Sequence, residues 1–374
     1  MSNIKISVFF TYDYSIETLE ESGLLEREMR IYRKIYQKYG FEFLFFTYDK
    51  ELVSKVKDFP EFEFIPIYKY VKISNNKIIR FLKSFIIPFK LKKYLKNTDI
   101  VYQHQLLGAW IPIIIKFLLK KPLQIRTGYD AYLFSLENND HFYKTLFYKY
   151  LTKAAIKYSD LYTVTSMCDK NFLSKEFDAK NIKVVPNWID ISKLQPVKRA
   201  KHKILMIGRL EIQKNYPVAF DFLEIADSNI EIDIYGSGSK LSELESLSSK
   251  KNLKVNFLGN LSHEALMNEM PKYKYFLTTS LYEGNPKTVL EALSSKCIVF
   301  ASDIKNHEEI ITDGVNGFLF SDAHELYEKY KFISNNLEFF NLIKQNTINS
   351  LTQNNISHVA EEMSDSYKSL TSLK

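Results

Sequence analysis

Tyr282-Glu-Gly-Asn-Pro-Lys-Thr-Val-Leu-Glu-Ala-Leu293 sets two glutamates, Glu283 and Glu291, eight positions apart on either side of a turn. Gly284, Asn285 and Pro286 cannot continue a helix, and Pro286 is suited to open the one that residues 287–294 then extend. The first amides of such a helix have no partner within it, and its dipole places positive charge behind them, so the turn favours an anion such as a diphosphate. Glu283 would stand before the turn and Glu291 about two helical turns beyond it, roughly 11 to 12 Å along the axis. One carboxylate could then meet a sugar ring and the other a ribose. Two solvated surface glutamates are the plain alternative. Against it, Glu291 lies among Leu290, Ala292 and Leu293, where a carboxylate is costly unless something hydrogen-bonds it.

With its surroundings, this stretch resembles the retaining glycosyltransferases of group 1, also called family 4, which have the GT-B fold. The pair matches the family's E-x7-E element, flanked by Thr278-Thr-Ser-Leu-Tyr-Glu283 before it and by Ser302-Asp303 and Glu309-Ile-Ile-Thr-Asp-Gly-Val-Asn-Gly-Phe-Leu-Phe320 after it. Upstream, Ile204-Leu-Met-Ile-Gly-Arg-Leu210 and Gln213-Lys-Asn215 resemble the family's G-R-L and K-N signature. Ile234-Tyr-Gly-Ser-Gly-Ser239 resembles its strand-ending glycine turn, Val255-Asn-Phe-Leu-Gly259 its base-binding strand, and Val185-Pro-Asn-Trp-Ile-Asp190 its interdomain segment. The match is strong over about 185–320 and weaker elsewhere.

The resemblance implies Glu283, Arg209 and Lys214 as catalytic residues, the two cations neutralising the donor's diphosphate. It implies Gly208, Gly236, Gly284, Asn285, Pro286, Thr288 and Glu291 as donor-binding, although a glycine after a strand, such as Gly236, is as often only a turn. The expected reaction moves a sugar, with retention, from a nucleoside-diphosphate sugar, a UDP-sugar above all, to a lipid-linked or surface-polysaccharide glycan. No metal and no cofactor beyond the donor are expected. A nucleotide-sugar epimerase of the same fold, or a catalytically silent partner subunit of a membrane glycosyltransferase, is the alternative.

The residues give the fold class independently. Strand-like and helix-like segments alternate, the pattern of α/β proteins with parallel sheets. Strands are expected at 4–11, 41–46, 99–103, 123–127, 161–165 and 182–186, and then at 203–207, 230–235, 253–259, 275–279, 297–301 and 317–320. Two Rossmann-like domains follow, and in GT-B proteins their sheets face across a cleft. The first, acceptor and membrane-facing, is expected over 1–195 and the second, nucleotide-sugar-binding, over 200–352, with a linker in 187–201 marked by Pro196. Helices at 325–335 and 356–373 would close the chain, the segment 355–374 crossing back to the first domain.

The first domain departs from the family pattern. The glycine-rich loop expected after the first strand is replaced by Tyr12-Asp-Tyr-Ser-Ile-Glu-Thr-Leu-Glu-Glu-Ser-Gly23, whose one glycine stands just before a helix at 24–39. Where the family commonly has a histidine, this chain has Thr127 in Ile125-Arg-Thr-Gly-Tyr-Asp130. His104, Arg126, Thr127 and Asp130 are therefore the candidates for contact with acceptor or donor sugar, against a purely structural role. Lys296 and Ile298 replace a small residue and a proline of the family.

The net charge of +7 is concentrated in the first half, the second being net acidic. No acidic residue occurs from 64 to 98, where Lys90, Lys92, Lys93 and Lys96 and other cations alternate with apolar and aromatic side chains. Such interleaving suits an anionic membrane surface, so 68–96 is expected to dock there, or else to be an ordinary amphipathic helix with a core stripe. Nothing resembles a nucleic-acid module. Cys168 and Cys297 are too few and too far apart for a zinc site or a disulfide scaffold. With no export segment in the opening residues and an apolar run at 106–119 too short to span a bilayer, the expected place is the inner face of the cytoplasmic membrane.

Overall fold

The computed structural model describes residues 3–21, 23–191, 197–226 and 229–372. Pro196, in the expected linker, and Leu373, at the expected end of the last helix, lie outside them. The chain divides into two compact units, Met1–Pro186 with Val359–Lys374, and Asn187–His358.

In the first unit seven strands form one parallel sheet: β1 (Lys5–Phe9), β2 (Glu42–Thr47), β3 (Glu63–Pro66), β4 (Ile100–His104), β5 (Leu123–Arg126), β6 (Leu161–Val164) and β7 (Ile182–Val184). Their order is β3-β2-β1-β4-β5-β6-β7. Helices cover a parallel sheet on both faces, so its strands read as continuous apolar runs, and β2 buries five of its six residues. The short edge strand β3 is absent from the sequence-based reading. It ends in Pro66, which lacks a donor and is tolerated at an edge. Helix Leu25–Tyr39 stops at Gly40, whose φ of 71° lets its N–H reach the Tyr36 carbonyl at 2.8 Å. Tyr367, in the last helix (Ile356–Thr371), is buried against Phe41, Phe43 and Tyr102.

Segment 68–96 is not one helix but two, Lys77–Ser84 and Ile87–Leu95. Asn76 starts the first, its side chain accepting from the N–H groups of Ile78 and Ile79. Ile87, Leu91 and Leu95, at helical spacing, are buried in the core. Ile78, Leu82 and Phe89 are exposed, so the segment divides between core and surface. The run at 106–119 holds the helix Trp110–Leu119, and among the described residues no helix is long and apolar enough to cross a membrane.

The second unit has a six-stranded parallel sheet of β8 (Ala200–Ile207), β9 (Glu231–Tyr235), β10 (Val255–Phe257), β11 (Tyr273–Thr278), β12 (Ile298–Ser302) and β13 (Phe318–Phe320), in the order β10-β9-β8-β11-β12-β13. Counted within the unit this is 3-2-1-4-5-6, the Rossmann order. β8 begins inside the expected linker, and β10 is shorter than the expected 253–259. A helix at Leu337–Asn349 was not foreseen; Asn336 caps it directly after the preceding helix, Ala323–Asn335. Each unit is thus a Rossmann-like α/β domain.

Candidate active site

In an open parallel sheet the connections run in opposite directions from the two strands flanking the order reversal, leaving a crevice beyond their carboxyl ends. In the second unit those strands are β8 and β11. The segments that follow them, 208–216 and 279–286, carry most of the predicted site.

After β8, a short 3-10 turn at Ile212–Lys214 ends at Asn215, whose φ of 46° is left-handed. Asparagine tolerates that region, and the reversal lets Tyr216–Ile225 start as a helix with proline in its first turn. Lys214 is thereby turned toward β11. Its ammonium pairs with the Glu283 carboxylate, which also accepts from Ser280 Oγ at 2.7 Å. The segments are further joined by Thr279 Oγ1 donating to the Lys214 carbonyl (2.6 Å), Leu281 N–H to the Gln213 carbonyl (2.9 Å), and Gln213 Nε2 to the Tyr282 carbonyl (2.8 Å). Gln213 also accepts from Arg209 Nη2 at 3.0 Å, holding an otherwise exposed guanidinium. The structure therefore brings Arg209, Lys214 and Glu283 to one place.

Gly208 and Gly236 serve this geometry in different ways. A Cβ on Gly208 would lie 3.1 Å from Lys214 Cε, so the glycine gives passage to the lysine stem. Gly236, with φ of 153°, packs its α-carbon on the Gly208 peptide so closely that an added Cβ would lie 2.9 Å from the Gly208 carbonyl carbon and nearer still to its oxygen.

Helix Lys287–Ser294 starts after Pro286, which takes the cap position with φ −70° and ψ 105° rather than the expected first helical position. The carbonyls of the turn are occupied: Gly284 accepts from Asn306 Nδ2 (2.7 Å) and Asn285 from Asn187 Nδ2 (2.7 Å), while Asn285 Oδ1 accepts from the Asn187 N–H (3.1 Å). Because C=O and N–H are antiparallel in a trans peptide, fixing the Gly284 carbonyl also fixes the direction of the Asn285 N–H. Thr288 sits half-buried in the first helical turn. Glu291, 5% exposed, has its Oε1 2.9 Å from His263 Nε2. His263, Asn187, Asn306 and Ser280 were not singled out from the sequence; the positions of Ser280, within the quoted Thr278-to-Glu283 match, and of Asn187, within the quoted Val185-to-Asp190 match, carried a signal. His307, buried near Glu283 and Lys214, directs Nδ1–H to the Ser302 carbonyl at 2.7 Å, and burial lowers its pKa from the ordinary value, keeping the ring neutral. Among the described residues no group of three or more His, Cys, Asp or Glu side chains is arranged to hold a metal.

In the first unit His104 and Arg126 end neighbouring strands in register. His104 Nδ1 lies 3.2 Å from Tyr32 OH, and its Nε2 3.7 Å from Glu28. Arg126 is largely buried, its Nη1 donating to the Val185 carbonyl at 3.2 Å. Thr127 and Asp130 are fully buried. Asp130 caps helix Ala131–Glu137 by accepting from the Leu133 N–H at 2.8 Å, and burial lifts its carboxyl to about 6. The loop that stands in for a glycine-rich turn is held otherwise: Asp13, with φ of 67°, pairs with Arg80 and accepts from Tyr68 OH.

Two Rossmann-like units, the second with cations and a carboxylate gathered at its switch point, define the GT-B class of α/β proteins. Residues 190–349 match the family model described as glycosyl transferases group 1. The chain is 27% identical over 245 residues to the capsular polysaccharide biosynthesis glycosyltransferase CapH of Staphylococcus aureus, covering 61% of this chain and 67% of CapH. It is 28% identical over 267 residues to the UDP-Gal:alpha-D-GlcNAc-diphosphoundecaprenol alpha-1,3-galactosyltransferase of Escherichia coli, covering 66% and 68%. The crystal structure of Anabaena HepE in complex with UDP superposes with a TM-score of 0.76 at 15% identity, covering 98% of this chain and all of that one, a likeness of fold.

Proposed function

We propose that this protein is a retaining glycosyltransferase of family 4 that uses a UDP-sugar and extends a lipid-linked or surface-polysaccharide glycan. The observation that carries the reading is the Lys214–Glu283 pair at the carboxyl ends of β8 and β11, with Arg209 beside it. As the donor's anomeric C–O bond breaks, negative charge grows on the diphosphate and positive charge on the sugar ring. Lys214, Arg209 and the amides at the start of helix Lys287–Ser294 stabilise the first, so no metal is required of the protein. Glu283 holds sugar hydroxyls and Glu291 the ribose. The acceptor oxygen bonds to the anomeric carbon on the face the diphosphate leaves, and its proton passes to the departing oxygen. Donor entry exchanges one partner of Lys214 for another: the diphosphate takes the ammonium while Glu283 turns to the sugar.

The names of the Escherichia coli and Staphylococcus aureus relatives support the acceptor class. Peripheral docking on the inner face of an anionic membrane goes with it, supported by exposed Ile78, Leu82 and Phe89 and by a recess lined by Phe89, Lys90, Lys92, Lys93, Lys96 and Leu119. Replacing Lys90, Lys92, Lys93 and Lys96 by Glu then releases the protein from anionic vesicles; unchanged co-sedimentation refutes docking there.

A thermal-shift panel of UDP, GDP, ADP, CMP and dTDP tests the site, because a ligand of the native state raises stability by RT ln(1 + [L]/Kd). UDP alone should shift the protein, and Glu291→Ala and Arg209→Ala should abolish the shift. No shift with any nucleotide would overturn the donor assignment. Turnover unchanged by EDTA supports metal independence, and a β-linked product from an α-linked donor refutes retention. A new sugar isomer from donor alone would instead identify an epimerase.

A further inference from the structure

We propose that helix Phe142–Tyr158 is a second membrane-contact element, which with helix Lys77–Ser84 forms one aromatic and basic face seated on an anionic bilayer. This rests on the peripheral docking above and extends it to a helix some fifty residues beyond the segment whose composition suggested it. One side of the helix belongs to the core through Leu151, Ala155 and Ile156. On another, Tyr143, Phe147 and Tyr150 recur at i, i+4 and i+7, which aligns them along one stripe. Tyr143 is 78% exposed and Tyr150 62%.

The stripe adjoins the first helix. Phe81 packs edge-on against Phe147 with ring centroids 6.4 Å apart, and also against Trp110, whose Nε1 donates to Ser84 Oγ at 2.7 Å. On the first helix Ile78 and Leu82, one turn apart, are 71% and 60% exposed. Apolar surface from two adjoining helices marks an interaction site rather than scattered surface residues.

Charge selects the occupant. Helix Phe142–Tyr158 contains four lysines and no acidic residue, repeating independently the composition of 64–98. Lys144 and Lys149 are paired with Asp140 and Glu176, whereas Lys153 and Lys157 are exposed at the distal part of the helix. A protein partner would be met by mixed charges and a continuous apolar centre. Tyrosine and phenylalanine on a helix whose own charged residues are all lysines fit the headgroup layer, where rings embed and lysines meet lipid phosphates.

The test uses the full chain and vesicles of phosphatidylcholine with about 30% phosphatidylglycerol, against phosphatidylcholine alone. Tyr143→Ser, Phe147→Ser and Tyr150→Ser together should weaken partitioning to the anionic vesicles by about tenfold or more, with Tm and the UDP shift unchanged. If this variant sediments like the parent while the four-lysine variant is released, the second element is refuted and docking stands. If neither is released, both readings fall. Should the triple variant fold poorly, Tyr143→Trp gives a second measurement: its added fluorescence should shift to the blue on anionic vesicles, and an unshifted spectrum overturns the proposal. A parent dimer in solution that the triple variant abolishes would assign the face to a second copy of the chain and also overturns it.

Discussion

Gly236→Ala is the substitution for which the geometry gives a magnitude. The new methyl would lie 2.9 Å from the Gly208 carbonyl carbon and far nearer to its oxygen, whereas ordinary contact begins at 3.4 Å, so the two turns must part by well over half an ångström. Neighbouring bonds resist that movement: Gly208 N–H to the Tyr235 carbonyl (3.0 Å), Gly236 N–H to the Gly259 carbonyl (2.8 Å), and Tyr216 OH to the Gly208 carbonyl (3.0 Å). Overpacking costs about 1–3 kcal/mol and an unfavourable φ about 1–3 more, so a loss of about 4 kcal/mol is expected. For a unit of this size that lowers Tm by roughly 8–16 °C. The Gly208 peptide also underlies the Lys214 stem, so the cation leaves its place and UDP binding weakens. At a UDP concentration about 100 times the parent Kd the stabilisation is about 2.7 kcal/mol, and a hundredfold loss of affinity leaves about 0.4 kcal/mol. Thermal denaturation with and without UDP reads both effects. A parental Tm would refute the packing argument; a lowered Tm with the UDP shift intact would make Gly236 a structural turn without influence on the donor.

Lys214→Ala removes the cation from Glu283 and from the leaving diphosphate, and kcat/KM for the donor should fall about 10²- to 10³-fold; a loss under tenfold in a turnover assay would contradict the assigned role. His263→Ala and Glu291→Gln should each raise the donor KM, and because the two side chains touch their effects should be non-additive by about 1 kcal/mol. Simple additivity would show that His263 does not position Glu291. Asp130→Asn keeps the cap on helix Ala131–Glu137 but removes the titration. Burial raises this carboxyl from 3.8 to about 6, so the folded state holds the proton more tightly than the unfolded one. That stabilisation is whole below pH 3.8 and is lost as pH rises through about 6, a change of about 3 kcal/mol. The difference in stability between D130N and the parent should therefore grow in the variant's favour over that window; parallel Tm-against-pH curves would refute the assignment.

What local sequence determined, it determined through backbone chemistry. Gly284-Asn-Pro286 stops one element and starts the next whatever surrounds it, Asn215 takes the left-handed turn that few residues tolerate, and near-continuous apolar strands demand cover on both faces. These were enough for two parallel-sheet domains; the grouping of Arg209, Lys214 and Glu283 was implied by the resemblance to the group 1 family, and the strand order places all three after strand ends at the switch point. The edge strand β3 and helix Leu337–Asn349 were not legible, one because its short run closes on Pro66, which speaks against a strand, and the other because it begins directly where another helix ends. Partners far apart in the chain were decided only by tertiary structure. His263 meets Glu291 across 28 residues, and Asn187 meets Asn285 across 98. The burial of Asp130 and Thr127, candidates for contact with acceptor or sugar, was likewise invisible, because a short polar residue after a strand reads alike whether it is exposed or buried. The same limit governs 68–96. Periodicity marks an apolar stripe but not what covers it, and the fold places Ile87, Leu91 and Leu95 in the core while leaving Ile78 and Leu82 outside.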